Sequence, residues 1–196
     1  MCGNALRCLG LYAFQEYREN ELEIIVKERK VTVEVFSEES IRINIGKANF
    51  EELWMPKLGH LSNMVSDYQL NLKEIICVDM GNPHIVIFYD NLSLQEQLLI
   101  GQNLQNHSDF IDGVNVNFAK IEKKVISLKV FERGAGFTLA CGSGACATFA
   151  AANKLKFVEE NAIVRFKTGD LHMSYLNENI MMSGPARKIA IGYYNE

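Results

Sequence analysis

Two cysteines, each followed by a glycine and by a run that favours a helix, are the residues of this chain best suited to chemistry. Cys141 opens the stretch Cys-Gly-Ser-Gly, and an alanine-rich run follows it. Cys2 opens a similar stretch, Cys-Gly-Asn-Ala, in the first half of the chain. The first backbone N–H groups of a helix lack partners within the helix, so they bind anions and lower the pKa of a neighbouring thiol. The sequence therefore predicts one thiol at a helix N-terminus in each half.

Two thiols of this kind suit the inversion of a carbon that carries a carboxylate. One thiolate removes the α-proton from one face, and a thiol on the other face returns a proton. The helix N-termini hold the carboxylate and stabilise the negative charge that develops. Such a reaction needs no metal, flavin or nicotinamide, and Gly134-Ala135-Gly136 lacks the third glycine of a dinucleotide-binding fingerprint. We therefore predict no cofactor and no metal ligands.

The composition argues against several other classes of function. The chain has 196 residues, of which 48% are hydrophobic and 22% charged, and its formal net charge is −4. It contains no basic cluster, so nucleic-acid binding is not expected. No apolar run approaches the ~18 residues of a membrane span, and no signal peptide is recognisable. We expect a cytoplasmic protein with no membrane partner, in which the five cysteines are free thiols.

The hydrophobic pattern places each cysteine-led helix next to a group of strands. A helix over 4–17 precedes strands in which apolar and polar residues alternate, and 46–73 is predicted to be an irregular connector. The second half contains a helix over 92–104 and the second cysteine-led helix over 142–156. The predicted strands are 22–26, 31–36, 41–45, 75–78, 84–88, 114–121, 125–131, 162–166, 171–176, 180–183 and 189–194.

The two halves share the order of a cysteine-glycine pair, a helix and strands, which indicates an internal duplication. Three or four predicted strands separate Asn82 from Cys141, whereas only Met1 precedes Cys2. If the halves are repeats, the first one lacks its leading strands, and we predict a missing segment of roughly 60 to 70 residues.

Four blocks of the sequence resemble the diaminopimelate epimerase family in their order and spacing. They are Cys2-Gly3-Asn4 with Arg7-Cys8, Met80-Gly81-Asn82-Pro83-His84, Glu132-Arg133-Gly134-Ala135-Gly136 with 140–146, and Ser183-Gly184-Pro185-Ala186. The resemblance implies a cofactor-independent interconversion of LL- and meso-diaminopimelate, for lysine and peptidoglycan precursors, by a homodimer. It also implies an α+β fold of two pseudo-symmetric domains, each a mostly antiparallel β-sheet or barrel wrapped around a central helix. The domains would be 1–47 with 187–196, and 48–186.

The resemblance also implies roles for individual residues. Cys2 and Cys141 are similar to the family's two acid–base thiols, and the direction of the reaction decides which of them removes the proton. The other implied site residues fall into three groups: those that hold the reacting carboxylate (Gly3, Asn4, Gly142, Ser143), those that bind the distal amino-acid end of the substrate (Asn82, Asn115, Arg133), and those that tune the thiols (His84 and Glu132, the latter also a substrate-binding residue).

Three features depart from the family pattern. The family begins with a Gly-Asn-Asp-Phe segment upstream of its first cysteine, and it usually has glycine at the position of Ala5 and glutamate at that of Phe137. Alanine would crowd the turn at position 5 if φ there is positive. Two alternatives stay open. One is a proline racemase-like isomerase, whose family carries histidine at the position of Asn4, and the other is an inactive remnant of the epimerase.

The remaining cysteines and several apolar residues are predicted to lie in the core. Cys8 and Cys146 lie about 1.5 helical turns beyond the two helix N-termini, so both are expected to face inward. Cys77 lies in a predicted strand and is interpreted as a small buried hydrophobic residue. The other core predictions are Phe110, Phe118, Phe131 and the run 22–26.

Overall fold

The computed structural model describes residues 2–26, 29–57, 60–61, 63–64 and 72–192. Its helices are α1 (Gly3–Tyr17), α2 (Leu94–Gln105) and α3 (Gly142–Lys154), close to the bounds predicted from the sequence. Its strands are β1 (Glu21–Val26), β2 (Arg29–Ser37), β3 (Ser40–Gly46), β4 (Leu72–Asp79), β5 (Pro83–Tyr89), β6 (Asn115–Glu122), β7 (Val125–Glu132), β8 (Gly136–Thr138), β9 (Asn161–Phe166), β10 (Gly169–Leu176) and β11 (Asn179–Gly184).

The strands form one large, mostly antiparallel sheet, which confirms the predicted α+β class. Its order is β1-β2-β3-β11-β10-β9-β7-β6-β5-β4, with β8 paired to β7. Two pairs are parallel, β5 with β6 and β7 with β9. The antiparallel pair of β3 and β11 joins the strands of the first half to those of the second. The division into domains 1–47 with 187–196 and 48–186 stays a prediction.

Helix α1 packs on one face of β1, β2 and β3. The inward residues of β2 and β3 alternate with exposed or half-buried ones, as expected for a sheet that is covered on one side. Gly10 of α1 lies so close to β2 that a Cβ there would meet Val33 Cγ1 at 2.7 Å. The buried residues on these two strands are Val31, Val33, Val35, Ile41, Ile43 and Ile45.

Helix α3 is enclosed, and β4–β7 and β9–β11 all contact it. Its residues 144–152 are buried, and most of them are glycine or alanine. Small side chains let strands approach a helix from several sides, and a helix that is apolar all round is a buried one. Strands β5 and β6 are themselves covered on both faces, because α2 lies on the face opposite α3. This enclosure places the N-terminus of α3 inside the molecule.

Several predictions about the elements are wrong. The predicted strand 189–194 is absent, because 185–192 has neither helix nor strand, and positions 193 and 194 lie outside the described residues. Strand β8 is present but was not predicted. The predicted connector 46–73 overlaps the end of β3 and the start of β4, and much of its middle lies outside the described residues. No described helix is long and apolar enough to cross a membrane.

The core predictions are partly confirmed. Cys77, Cys146, Phe110, Phe118 and Phe131 are buried as expected. Cys8 is exposed, so its prediction is wrong. The run 22–26 is not core either, because its inward residues are half-buried and Ile25 is 70% exposed. Both errors concern the first part of the chain, where β1, β2 and β3 pack on one face of α1.

Candidate active site

The N-terminus of α1 is capped by Cys2, as the sequence predicts. Cys2 has an extended backbone, with φ −113° and ψ 104°, and Leu6 N–H donates the first helical hydrogen bond to its carbonyl at 3.2 Å. Its side chain makes no capping hydrogen bond and is exposed. The first thiol therefore lies at a helix N-terminus in contact with solvent.

The N-terminus of α3 is capped by Cys141 with a similar backbone, φ −137° and ψ 113°. Here the thiol does cap the helix, because Gly144 N–H donates to Cys141 Sγ at 3.4 Å. Cys141 is only 7% exposed. The second thiol thus has the predicted position but a buried environment.

The two helix N-termini lie against each other. A Cβ placed on Gly142 would lie 3.8 Å from Gly3 Cα, and 3.7 Å from both Cε and Sδ of Met182. A Cβ on Gly3 would overlap Cε of the same methionine, which is fully buried on β11. The residues that follow the two cysteines therefore lie close together. A Cβ on Gly142 would make ordinary van der Waals contacts, whereas a Cβ on Gly3 would require Met182 to move.

Arg7, which the sequence analysis did not single out, is buried next to this contact. It is 8% exposed, and its guanidinium donates to Asn4 Oδ1 at 2.9 Å and to the Pro185 carbonyl at 3.2 Å. Burial lowers the pKa of Arg7, and the nearby thiols of Cys8, Cys2 and Cys146 partly oppose that shift. Within the described part of the chain, no aspartate or glutamate pairs with it. A buried cation beside two helix N-termini favours an anion at this place.

Strands β5 and β7 bring polar groups to Cys141 from two sides. Ser143 Oγ lies 3.5 Å from Cys141 Sγ and 3.2 Å from His84 Nε2, and Asn82 Nδ2 donates to the same hydroxyl at 3.4 Å. On the other side, Thr138 Oγ1 donates to Glu132, whose carboxylate also interacts with the thiol. The structure thus brings together five predicted site residues in one connected set of contacts: Asn82 and His84 contact Ser143, and Ser143 and Glu132 interact with Cys141.

The pKa of the Cys141 thiol is raised, contrary to the lowering expected at a helix N-terminus. Burial is the largest cause, and the carboxylate of Glu132 adds to it. Hydrogen bonds from Ser143 and from Gly144 N–H lower the pKa but do not outweigh the burial. Desolvation disfavours the thiolate more than the helix N-terminus favours it.

His84 is fully buried and neutral. Burial lowers its pKa to about 4, and the charge of Arg133 adds to the lowering. Asn117 Nδ2 lies 3.1 Å from His84 Nδ1. Asn117 was not predicted as a site residue, although it follows Asn115 at the two-residue period that places both side chains on one face of β6. The thiol-tuning role of His84 and Glu132 stays a prediction.

The residues predicted to bind the distal end of the substrate make contacts within the protein. Asn115 Nδ2 donates to the Pro83 carbonyl at 2.9 Å, and Arg133 N–H donates to Asn115 Oδ1 at 3.0 Å. The Arg133 guanidinium donates to the Asp112 carbonyl at 2.7 Å, beside Gly113. Asn115 therefore ties β5 to the end of β7, and the guanidinium lies on the loop before β6. Their role towards substrate stays a prediction.

The two substitutions noted against the family pattern have clear surroundings. Ala5 lies inside α1, is exposed and does not have positive φ, so it does not crowd the helix N-terminus. Phe137 on β8 lies opposite Phe131, with ring centroids 5.3 Å apart, and 6.1 Å from the ring of Phe118. It anchors the short hairpin of β7 and β8 to the apolar cluster under α2.

Comparisons with known sequences find similar proteins described as diaminopimelate epimerases. The family model described as diaminopimelate epimerase matches residues 76–189. A diaminopimelate epimerase from Rickettsia bellii is 45% identical over 194 residues, which are 99% of this chain and 72% of the relative. One from Rickettsia felis has the same identity and coverage. The similarity therefore extends across both cysteine-capped helices.

Solved structures show the same fold at low sequence identity. A predicted epimerase from Pseudomonas aeruginosa matches with a TM-score of 0.66 at 14% identity, over 95% of this chain and 73% of that one. A PhzF-family phenazine biosynthesis protein from Enterococcus faecalis matches with a TM-score of 0.69 at 15% identity, over 97% of this chain and 71% of that one. At these identities the likeness concerns the fold alone.

Proposed function

The chain belongs to the diaminopimelate epimerase family, whose members are isomerases, and on that premise we propose that it interconverts LL- and meso-diaminopimelate with Cys2 and Cys141 as its two acid–base groups. The observation that supports this most directly is the contact between the two cysteine-capped helix N-termini. Gly3 and Gly142, the residues after the cysteines, lie close together, because a Cβ on Gly142 would be 3.8 Å from Gly3 Cα. In this proposal, a substrate α-carbon that binds at this junction is flanked by the two thiols.

In the proposed reaction, one cysteine acts as a thiolate and removes the α-proton, and the other acts as a thiol and delivers a proton to the opposite face. The electrons of the broken C–H bond move into the α-carboxylate. Backbone N–H groups at the starts of α1 and α3 stabilise that charge, together with the buried guanidinium of Arg7. Two thiols supply both proton transfers, so we propose that neither metal nor cofactor takes part.

Asn4 is suited to bind the substrate carboxylate because Arg7 fixes its amide. An arginine only donates hydrogen bonds, so the atom of Asn4 that faces it must be the oxygen. The amide N–H groups of Asn4 are then left to donate to an anion at the exposed helix N-terminus. Ser143 occupies the corresponding position after Cys141, where its hydroxyl contacts the thiol.

The proposal is tested by exchange of the α-hydrogen in heavy water. We expect deuterium to enter the α-position of LL- and meso-diaminopimelate, and Cys2→Ser and Cys141→Ser each to lower the exchange at least about 100-fold, the usual contribution of a general acid or base. Cys8→Ser is the matched control, because it removes an exposed thiol from the same helix as Cys2. Exchange that survives both substitutions contradicts the two-thiol mechanism.

The same assay separates the alternatives. Deuterium uptake into proline but not into diaminopimelate favours the proline racemase-like isomerase, and no uptake by a folded chain favours the inactive remnant. We also propose that the protein acts in the cytoplasm as a homodimer, as the family resemblance implies. Sedimentation equilibrium measures the assembly, and a monomer across the assay concentrations contradicts that part.

A further inference from the structure

We propose that Asn117 is a positioning residue that fixes the direction of hydrogen-bond donation from His84 through Ser143 to Cys141. Asn117 lies on β6 with 0% exposure, and its hydrogen bonds go to His84, Ile85 and Asn115 and not to a thiol. The argument rests on which atoms in this chain are able only to donate or only to accept. That Cys141 is a catalytic thiol rests on the proposed function, whereas the directions of the hydrogen bonds do not.

Two backbone carbonyls fix the orientation of the Asn117 amide. Its Nδ2 lies 2.9 Å from the Ile85 carbonyl oxygen and 3.4 Å from that of Asn115. A carbonyl oxygen only accepts, so the amide nitrogen must lie on this side. Rotating the amide by half a turn would place oxygen against oxygen at both carbonyls.

The fixed amide determines which nitrogen of His84 carries the proton. Asn117 Nδ2 also lies 3.1 Å from His84 Nδ1. The amide nitrogen has two N–H groups, which the closest acceptors, the Ile85 carbonyl oxygen and His84 Nδ1, can share, and it cannot itself accept a hydrogen bond. A proton on Nδ1 would therefore face N–H groups, so Nδ1 accepts and is unprotonated. The buried, neutral imidazole therefore carries its proton on Nε2, the nitrogen that faces Ser143.

The proton on Nε2 in turn fixes the hydroxyl of Ser143. His84 Nε2–H donates to Ser143 Oγ at 3.2 Å, and Asn82 Nδ2 donates to the same oxygen at 3.4 Å. A hydroxyl oxygen has two lone pairs, so both are engaged. The single hydroxyl proton is left for Cys141 Sγ, 3.5 Å away.

Cys141 Sγ thus accepts two hydrogen bonds, from Ser143 and from Gly144 N–H. Both stabilise the thiolate in a place where burial disfavours it. If His84 carried its proton on Nδ1, Nε2 would accept from Ser143, and the hydroxyl proton would turn away from the sulfur. Asn117 prevents that arrangement, although His84 and Ser143 lie between it and Cys141.

The other charged or titratable groups near these residues lie outside the chain of donors. Glu132 of β7 interacts with Cys141 directly, and Cys146 lies behind it on α3. Arg7 of α1 acts on Cys146, and Arg133 acts on His84. A substitution at position 117 replaces none of these groups. A change in the reactivity of Cys141 can therefore be attributed to the hydrogen bonds that run through His84 and Ser143.

The first test is the tautomer of His84, measured by 15N NMR on the intact chain. His84 is identified by its imidazole, which stays neutral well below neutral pH because burial lowers its pKa to about 4. We expect a protonated Nε2 and an unprotonated Nδ1 in the wild-type protein. A protonated Nδ1 overturns the proposal without any variant.

The second test is site-resolved alkylation of Cys141 as a function of pH, followed by mass spectrometry. Asn117→Leu removes the donor at nearly constant volume, and we expect it to lower the alkylation rate at neutral pH on the order of tenfold, comparable to losing a hydrogen bond to a charged group. Ser143→Ala is expected to have a similar effect, and the double variant to add little, because both act on one path.

Thr148→Val is the matched control for this test. Thr148 is a fully buried residue of α3, and its hydroxyl has no hydrogen-bond partner in the described part of the chain. We expect its alkylation profile to match that of the wild type. An unchanged profile in folded Asn117→Leu, or additive losses in the double variant, overturns the proposal. If the wild-type protein shows no α-hydrogen exchange but His84 carries its proton on Nε2, the result contradicts the proposed function and leaves the role of Asn117 intact.

Discussion

The two cysteine-capped helix N-termini have similar sequences and very different surroundings. Helix α1 rests on β1, β2 and β3 by one face, so Cys2 is exposed. Helix α3 has seven strands around it, and Cys141 is 7% exposed. The same local motif therefore gives an open thiol in one place and a buried one in the other, and the number of strands around the helix makes the difference.

The charges around the two thiols differ as well. Cys141 has a carboxylate, Glu132, and a hydroxyl, Ser143, at hydrogen-bonding distance, and its pKa is raised mainly by burial. Cys2 has the buried cation Arg7 nearby. A helix N-terminus alone thus does not decide the state of a thiol, because the strands bring in burial and partners that act more strongly.

The largest expected effect concerns pH, and it belongs to the second N-terminus alone. His84 has a pKa of about 4 in the folded chain and an ordinary value of 6.5. Between these values the unfolded chain binds a proton that the folded chain does not, so the free energy of unfolding falls as pH falls through this window. The loss amounts to about 3 kcal/mol at most.

Urea unfolding at pH 7 and pH 4.5 measures this loss, and His84→Gln should make the stability less dependent on pH. Arg7→Met is the matched change at the first N-terminus. An arginine stays charged throughout this range, so that variant should keep the wild-type dependence even if it is less stable. An equal change of slope in both variants would remove this distinction between the two sites.

The second expected effect compares the glycines at the two N-termini. In Gly144→Ala, the new Cβ meets Asn117 Oδ1 at 2.6 Å and Val130 Cγ2 at 3.0 Å. The Asn117 amide is held by backbone carbonyls and cannot move aside, so we expect a loss of about 1–3 kcal/mol. In Gly3→Ala, the overlap is with the flexible end of Met182, and we expect a loss below about 1 kcal/mol.

Thermal unfolding of the two variants checks this ranking, with about 2–4 °C of Tm for each kcal/mol in a chain of this size. The test separates overlap from flexibility, because a Cβ on Gly3 has the closer overlap but Gly3→Ala is expected to lower the stability less. A larger fall in Tm for Gly3→Ala would show that Met182 cannot rearrange in its buried position.

Local pattern was sufficient to predict most of the elements. The alternation along β2 and β3 predicted the strands under α1, and the alanine-rich run after Cys141 predicted α3. The position of each cysteine at a helix N-terminus also followed from the residues next to it. These features depend on contacts within a few residues, which is why one sequence was enough to predict them.

The contacts that complete the site depend on pairing between distant strands. His84 meets Ser143 only because β5 lies beside β6 and both pack on α3, and these residues are 59 positions apart. Arg7 and Cys8 lie on neighbouring faces of α1, and helical spacing alone does not show which face the sheet covers. Cys8 was therefore wrongly predicted to be buried, and Arg7 was not predicted as a site residue. Strand β8 was missed because it is three residues long and depends on pairing with β7.

The third expected effect uses the cysteines further along each helix. Cys146 is fully buried, so Cys146→Ser places a hydroxyl in an apolar environment, and we expect a loss of about 1–2 kcal/mol. Cys8 is exposed, and Cys8→Ser should stay within about 0.5 kcal/mol of the wild type. Urea unfolding of both variants measures the difference, and equal losses would show that Cys8 is covered in solution.

The smallest expected effect lies at Ala5, which corresponds to Gly144 in its distance from the cysteine and is one of the two positions at which the motifs differ. Ala5 is exposed and has right-handed helical φ, so nothing in its surroundings requires glycine. Ala5→Gly should therefore cost only about 0.5 kcal/mol, through the greater backbone freedom of glycine in the unfolded chain. The rate of α-hydrogen exchange should stay within about twofold of the wild type, as expected for an exposed side chain in the first turn of α1. A faster exchange in Ala5→Gly would mean that the alanine does obstruct the first N-terminus when substrate binds, and the open and buried thiols would then face similar steric limits.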